Sequence, residues 1–277
     1  MKFGKKLLII ILVLGSAIAY ASDYDYQERK IEGHVIHVVT INPNKYNMQI
    51  VKAQGTRETV PVIAKRANAK IAINGGFFDM GTNRDGMPTG SLVIQGQPYK
   101  VKNQIQALAI IHSGIFNIQL VNTKEYVKKN KGLNYSLVSG IPLLINHGQI
   151  VPSLVSKKSD FYAKPHARTA IGIRSDGMIV LCIAEHPYKR DLTNITMGEI
   201  PSLLAQLRNG IGLTIIELAH FMKKLDCEFA INLDGGGSAT LWLDGKVKNH
   251  TIRDEDEARG VQMMRPVSDA IIFNDKV

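Results

Sequence analysis

The sequence predicts an α+β protein: a mixed, mostly antiparallel β-sheet with a few flanking helices, folded as a single domain. Two patterns lead to this prediction. Short apolar runs are repeatedly separated by a polar residue and a glycine, and only a few segments show helical spacing. With 45% hydrophobic and 21% charged residues among 277, the composition is that of a globular protein and excludes a disordered, collagen-like or coiled-coil chain.

The first residues have the pattern of an export signal. Three lysines lie within the first six residues, an apolar run follows, and Ala19-Tyr20-Ala21 matches an A-x-A cleavage site. The apolar run is short for crossing a bilayer, although an uncleaved membrane anchor is the alternative. We therefore expect a signal peptide at residues 1–21, cleaved after Ala21, and a secreted or periplasmic domain at residues 22–277 without stable membrane insertion.

The net charge of +10 favours anionic partners outside the cytoplasm, such as a phosphorylated sugar or an anionic glycan. The basic residues are scattered in pairs without aromatic residues between them, so we expect no nucleic-acid site. The two cysteines, Cys182 and Cys227, are compatible with a disulfide or with two buried free thiols. We expect no metal and no other cofactor.

Four segments are predicted to form β-hairpins, because a polar residue and a glycine stand between two apolar runs and glycine adopts positive φ at low cost. They are residues 93–97, 144–150, 173–180 and 242–247.

Helices are predicted at residues 60–69, 202–208 and 214–225. The last has the clearest pattern, because Ile215, Leu218 and Met222 recur at helical spacing. Thr214 and Glu217 fit a capping box at its start.

Residues 71–76 and 229–238 share one pattern. In each, a predicted helix is followed by a short apolar strand, a polar residue and glycines. We interpret them as two related units whose strands end near each other.

The second of these segments contains the most informative motif, Asp234-Gly235-Gly236-Gly237-Ser238. Three glycines after an apolar strand are costly in backbone entropy. Glycine allows close approach of a ligand and turns backbone N–H groups toward an anion. We expect an anion-binding loop here, with a tight turn capped by Asp234 as the alternative.

The first segment contains Asn74 and Gly75 at the end of its strand, followed by Phe77 and Phe78. We expect Asn74 and Gly75 to bind substrate, and Asn74 is a better candidate than Asp79, which has a sufficient role as a turn cap. The two aromatic rings are expected to form an apolar wall for a sugar or to pack in the core, and core packing is expected for at least one of them.

Arg168 precedes an apolar strand at residues 170–174. A guanidinium offers a planar fork that matches phosphate oxygens, so Arg168 is expected to bind phosphate beside the glycine loop. A surface arginine is the alternative.

The motifs Asn74-Gly75-Gly76-Phe77-Phe78, Arg168-Thr169-Ala170, Asn232 to Ser238, and Arg265-Pro266-Val267-Ser268-Asp269 together resemble the phosphodiester glycosidase family. The resemblance covers most of the chain beyond the predicted signal peptide. It implies a hydrolase that removes a sugar from a phosphodiester by cleaving the glycosidic C–O bond, and it adds Arg265 to the substrate-binding candidates.

For this reaction we expect Asp234 to act as nucleophile or as base for water, while Arg168 and the N–H groups of residues 235–238 hold the phosphate. Glu217 is a candidate second carboxylate, although its helix-capping position is a sufficient structural reason for it. Glu185 and Asp79 are weaker candidates.

The alternative function is a non-catalytic module that binds anionic exopolysaccharide or cell-envelope glycan. Hydrolysis at phosphorus is a third possibility.

Overall fold

The computed structural model describes residues 23–31, 34–81, 83–185, 212–249, 251 and 264–276 of the chain. The expected signal peptide and the helix expected at residues 202–208 lie outside these described residues.

The described residues form seventeen strands and four α-helices. The strands are β1 (Tyr24–Ile31), β2 (His34–Ile41), β3 (Tyr46–Lys52), β4 (Ile71–Asn74), β5 (Leu92–Ile94), β6 (Gln97–Lys100), β7 (Ile105–His112), β8 (Ile115–Asn122), β9 (Tyr135–Gly140), β10 (Leu143–Asn146), β11 (Gln149–Ile150), β12 (Arg168–Arg174), β13 (Ile179–Ala184), β14 (Cys227–Asn232), β15 (Leu241–Leu243), β16 (Lys246–Val247) and β17 (Asp269–Asp275). The helices are α1 (Val60–Arg66), α2 (Thr123–Lys129), α3 (Asp160–Ala163) and α4 (Ile215–Lys224).

These strands make three sheets, and every pairing between them is antiparallel. The large sheet has the order β1-β2-β13-β12-β14-β10-β11, the second has β16-β15-β4-β17-β3, and the third has β6-β5-β9-β7-β8. The prediction of a mostly antiparallel fold with a few helices is confirmed.

A central apolar core lies between the three sheets. It contains Val39 and Ile231 from the large sheet, Ile73 from the second, and Ala109 and Val138 from the third. The opposite face of the large sheet is covered by α4, whose buried side chains include those of Leu218 and Met222. Burial of these apolar side chains on both faces is the main stabilising contribution to this arrangement.

All four predicted hairpins are confirmed by strand pairing. In three of them the residue before the turn glycine also has positive φ: Gln95 (50°), His147 (47°) and Asp244 (46°). Two consecutive residues with positive φ match the twist of the flanking strands. The hairpin between β7 and β8, with Ser113 at φ 51°, was not predicted.

The two cysteines are free and buried. Cys182 lies on β13 and Cys227 begins β14, with β12 between these two strands. Burial raises the pKa of both thiols, that of Cys227 to about 12, which keeps them protonated and poorly nucleophilic.

The ends of strands from all three sheets meet at one place. Here β4 ends at Asn74, β9 at Gly140 and β14 at Asn232. Since the pairing is antiparallel, β12 and β17 start at the same edge, with Arg168 and Asp269. The motifs singled out in the sequence therefore fall at a single junction.

The capping box of α4 is present as predicted. The Thr214 hydroxyl accepts from the Glu217 amide at 3.2 Å, and the Glu217 carboxylate accepts from the Thr214 amide at 2.8 Å. These bonds satisfy two of the N–H groups that a helix start leaves without a partner.

We expect Thr214→Ala to lower the free energy of unfolding by about 1 kcal/mol, as is usual for loss of an N-cap hydroxyl. Glu217→Gln, which preserves the capping box, should cost less. Urea unfolding followed by circular dichroism measures both, with His220→Gln on the exposed face of α4 as control. Equal stability of Thr214→Ala and the wild type would contradict this role.

Candidate active site

One buried asparagine joins the two glycine-ended strands. Asn74 donates from Nδ2 to the carbonyl of Asp234 at 2.7 Å. Its Oδ1 accepts from Thr169 Oγ1 at 2.9 Å and from the Thr240 amide at 3.2 Å. The prediction that the two strands end near each other is confirmed.

Gly75 and Gly76 bring the backbone close to Asp269. The amide of Gly75 donates to the Asp269 carbonyl at 2.9 Å, and that of Gly76 to Asp269 Oδ1 at 3.0 Å. A Cβ on Gly75 would lie 1.9 Å from Asp269 Oδ1, so no side chain fits at this position. The Gly75 amide, which we expected to bind substrate, is engaged by the protein itself.

Asp234 is half-buried at the start of the triple-glycine loop. Its amide donates to the Gly75 carbonyl at 3.2 Å, and its Oδ1 accepts from the Gly235 amide at 2.9 Å. Burial is the largest influence on the pKa of Asp234 and raises it to about 6. Hydrogen bonding by Ser238 and the charge of Arg265 lower this pKa, whereas the negative charge of Asp269 raises it. The carboxyl therefore keeps its proton to higher pH than an exposed aspartate does.

The loop glycines differ in what they do. A Cβ on Gly235 would lie 2.4 Å from the Ala167 carbonyl, so this glycine allows two chain segments to touch. Gly236 has φ +56° and space beside it, where the nearest atom to an added Cβ is Arg265 Nη1 at 3.9 Å. Gly237 and Ser238 are buried.

Most amides of this loop are already engaged. The Gly236 amide donates to the Ala167 carbonyl at 2.8 Å, and the Ser238 amide to the Gly235 carbonyl at 3.1 Å. The expectation that the amides of residues 235–238 hold an anion is therefore not supported for residues 235, 236 and 238. The loop instead fixes the positions of Asp234 and Ser238.

Arg168 is buried, with 2% of its surface exposed. Its Nε donates to the Leu213 carbonyl at 2.8 Å, and its Nη2 donates to the carbonyls of Phe161 at 2.6 Å and Lys164 at 3.1 Å. The guanidinium also lies over the Phe161 ring. This arrangement does not support direct phosphate binding by Arg168. The side chain instead joins the start of β12 to the carbonyls of residues 161, 164 and 213, which flank the site.

Arg265 places its guanidinium beside the triple-glycine loop. It is half-buried, and its Nη1 lies 3.5 Å from Ser238 Oγ. Its charge also acts on the Asp234 carboxyl. A guanidinium, a hydroxyl and a carboxylate therefore meet at the junction.

Glu217 lies at the exposed start of α4, and its carboxylate is engaged with Thr214. The peptide between Leu213 and Thr214 is held at both ends, since Arg168 binds its carbonyl and Glu217 its N–H. The geometry gives Glu217 a structural task next to Arg168 and no described contact with Asp234.

The two phenylalanines have different surroundings. Phe78 packs in a core with α1. Phe77 is half-buried and meets Phe161 edge to face at 5.9 Å between ring centroids. Only Phe77 remains a candidate for an apolar wall. Asp79 pairs with Arg84 at 3.3 Å in the turn that follows.

Asp269 is a site residue that the sequence reasoning missed. It is 1% exposed, and burial raises its pKa to about 6. It stands within the fourth family motif, and its position directly before the apolar run of β17 was the available signal.

Within the described parts of the chain, no three His, Cys, Asp or Glu side chains are grouped so that they could hold a metal ion. The same residues contain no helix long and apolar enough to cross a membrane.

We expect Arg168→Ala to lower the free energy of unfolding by about 3–5 kcal/mol, because it removes three hydrogen bonds that a buried charged group donates, at about 1–2 kcal/mol each. Arg265→Ala, as the matched control, should cost about 1 kcal/mol or less. Chemical denaturation measures both. If the two variants were equally stable, the hydrogen bonds of Arg168 would not be what holds these segments together.

Comparisons with known proteins agree with this geometry. An N-acetylglucosamine-1-phosphodiester alpha-N-acetylglucosaminidase from Mus musculus is 28% identical over 211 residues, which are 72% of this chain and 36% of that protein. The Homo sapiens protein of the same name is 27% identical over 212 residues, or 70% of this chain and 36% of that protein. The chain thus spans about a third of the length of these relatives.

Two solved structures share the fold. The catalytic domain of the zebrafish enzyme of that name, auto-inhibited by its pro-peptide, superposes with a TM-score of 0.65 at 20% identity, covering 91% of this chain and 82% of that one. A hypothetical protein from Synechocystis gives a TM-score of 0.61 at 16% identity, covering 92% and 62%. The family model for phosphodiester glycosidases matches residues 67–274. The family expected from the four motifs is confirmed: this chain belongs to the phosphodiester glycosidases, a family of hydrolases.

Proposed function

We propose that the protein hydrolyses a sugar 1-phosphodiester, or a related envelope glycan, at the glycosidic C–O bond. The observation that carries the proposal is the meeting of the Asp234 carboxyl with Ser238 and Arg265 at the strand-end junction. The names of the relatives indicate an N-acetylglucosamine 1-phosphodiester as the first substrate to try.

Arg265 and Ser238 are our candidates for holding the phosphate. A guanidinium matches two phosphate oxygens in a plane, and a hydroxyl beside it adds a further donor. Arg168 and the glycines stabilise this site indirectly, because their hydrogen bonds fix the loop and the segments that flank it.

Asp234 is our candidate nucleophile. Its carboxylate oxygen would bond to the anomeric carbon while the bond from that carbon to the bridging oxygen breaks, and the electron pair would leave with the phosphate. A phosphate ester is a weak base, so this step needs less help from a general acid than ordinary glycoside cleavage. Arg265 would stabilise the charge on the departing phosphate. Glu217 has no catalytic part in this proposal.

We also propose that the enzyme acts outside the cytoplasm after removal of residues 1–21. The basic, apolar and A-x-A segments at the start of the sequence support this.

We expect Asp234→Asn to abolish turnover of N-acetylglucosamine 1-(methyl phosphate), because an amide cannot attack the anomeric carbon. Sugar release is measured by mass spectrometry, and ¹⁸O-water should label the sugar and not the phosphate. Asp79→Asn, in the neighbouring turn, is the control that should remain active.

Binding without turnover by the wild type would favour the glycan-binding module instead. Label in the phosphate would establish cleavage at phosphorus. Full activity of Asp234→Asn would remove this residue from the mechanism.

The raised pKa of Asp234 gives a pH dependence. Since a nucleophilic carboxylate must be ionised, kcat/KM should rise as pH increases through about 6 and level off above it. Asp269→Asn removes a negative charge that raises the pKa of Asp234, so the rise should move to lower pH. A pH–rate profile of both proteins measures this shift, and an unchanged or upward-shifted rise would contradict the coupling.

A further inference from the structure

The positive charge of the chain is concentrated in one part of the fold. Residues 86–159, which include the whole third sheet and α2, contain eight lysines, no arginine and one acidic residue, Glu125. In the exported form proposed above, the remaining residues 22–85 and 160–277 contain 23 basic and 23 acidic side chains. The excess charge of that form therefore lies on and around the third sheet, where it produces a local positive potential.

The lysines of this region are not neutralised within the described structure. Elsewhere on the surface, cations pair with acids, as Lys45 does with Asp23 and Arg57 with Asp85. No lysine of residues 86–159 forms an ion pair with a described residue. Their charge is therefore available to a partner.

Four of these lysines are on α2 or directly after it. Tyr126 of this helix packs on the apolar cluster at the outer face of the third sheet, which is the face turned away from the central core. Lys124, Lys128 and Lys129 of α2 are exposed, and so is Lys131, which follows. They present their charge to solvent on the outer side of the sheet.

Two exposed aliphatic side chains lie on the same outer side. Ile115 begins β8 and is 70% exposed. Its strand partner His112 projects to the same face and contacts the ring of Tyr135, which Tyr126 of α2 also meets edge to face. Leu133, which is 46% exposed, follows α2 in the loop that leads into β9. Lysines and large apolar side chains thus share one surface.

We name this the cationic outer surface, and its composition indicates the kind of partner. An arginine fork selects individual phosphate groups, whereas a lysine ammonium is a point charge that suits a diffuse anionic surface. A hydrophilic polyanion offers nothing in which aliphatic side chains can be buried, whereas the headgroup region of a bilayer does. The residues of the cationic outer surface are Lys124, Lys128, Lys129, Lys131, Ile115 and Leu133.

We propose that the cationic outer surface binds an anionic lipid bilayer. The lysines lie at the lipid headgroups, and Ile115 and Leu133 insert as far as the boundary of the acyl chains. The surface is on a face of the third sheet, whereas the junction with Asp234 is at its strand ends, so the two are separate. The proposal goes beyond the proposed function and does not depend on it.

Sedimentation with lipid vesicles tests the proposal. The full chain, as recovered from the cells that express it, is mixed with vesicles of equal parts phosphatidylglycerol and phosphatidylcholine, or of phosphatidylcholine alone. The wild type should sediment with the anionic vesicles only, and added salt should release it because salt screens the lysine charges.

The triple variant Lys124→Gln, Lys128→Gln, Lys131→Gln should lower the partition coefficient about 10²-fold, since each lysine near an anionic membrane contributes about fivefold. The matched control is Lys223→Gln, Lys224→Gln, Lys246→Gln, which removes the same charge from exposed positions outside the third sheet. It should change the partition coefficient by less than about threefold, because distant charges are screened.

The apolar part of the surface is tested by Ile115→Ser combined with Leu133→Ser. This variant should bind about tenfold more weakly, because it loses apolar area that the bilayer would bury. Its thermal unfolding should match that of the wild type, since both side chains are already exposed.

Equal losses in the two triple variants would overturn the proposal, because net charge and not this surface would then control binding. Equal sedimentation with neutral vesicles would also overturn it and would point to another apolar segment, such as residues 7–19. Binding to soluble alginate without binding to anionic vesicles would overturn the bilayer as partner and assign the surface to an anionic glycan.

Discussion

The junction depends on the buried amide of Asn74. It donates to one segment and accepts from two others, so a single side chain fixes Asp234, Thr169 and Thr240 relative to each other. Such bonds are strong in a low-dielectric interior, and an unpaired partner there is costly. An aspartate would lose the donor and a leucine would lose both functions. Few other residue types meet this geometry.

Several charged groups around this amide are buried or half-buried. Asp234 and Asp269 lie close enough for their charges to interact, and burial raises the pKa of both carboxyls. The buried guanidinium of Arg168 binds the carbonyl of Leu213, which also accepts from the His166 amide, and the carbonyl of Phe161 in α3. Charged groups thus differ in burial here: the Arg168 guanidinium is enclosed and holds neighbouring segments in place, whereas Asp234 and Arg265 remain partly exposed.

Local signals in the sequence predicted local structure well. The glycines at positive φ indicated the hairpins, Thr214 and Glu217 indicated the start of α4, and repeated strand-end glycines indicated the junction. The use made of each side chain depends on distant neighbours and was not predictable. Nothing near Arg168 in the sequence shows that it will bind the Leu213 carbonyl. Likewise, His37 contacts Glu185 although the two residues are 148 positions apart.

The placement of the junction where three sheets end has a consequence for divergence within the family. Each sheet contributes strand ends to the junction, and the β5–β6, β7–β8 and β15–β16 hairpins turn at the opposite ends of their strands. These hairpins can therefore change in length or surface character without moving the strand ends at the junction. Members of the family can thus diverge in these turns while the junction is inherited unchanged.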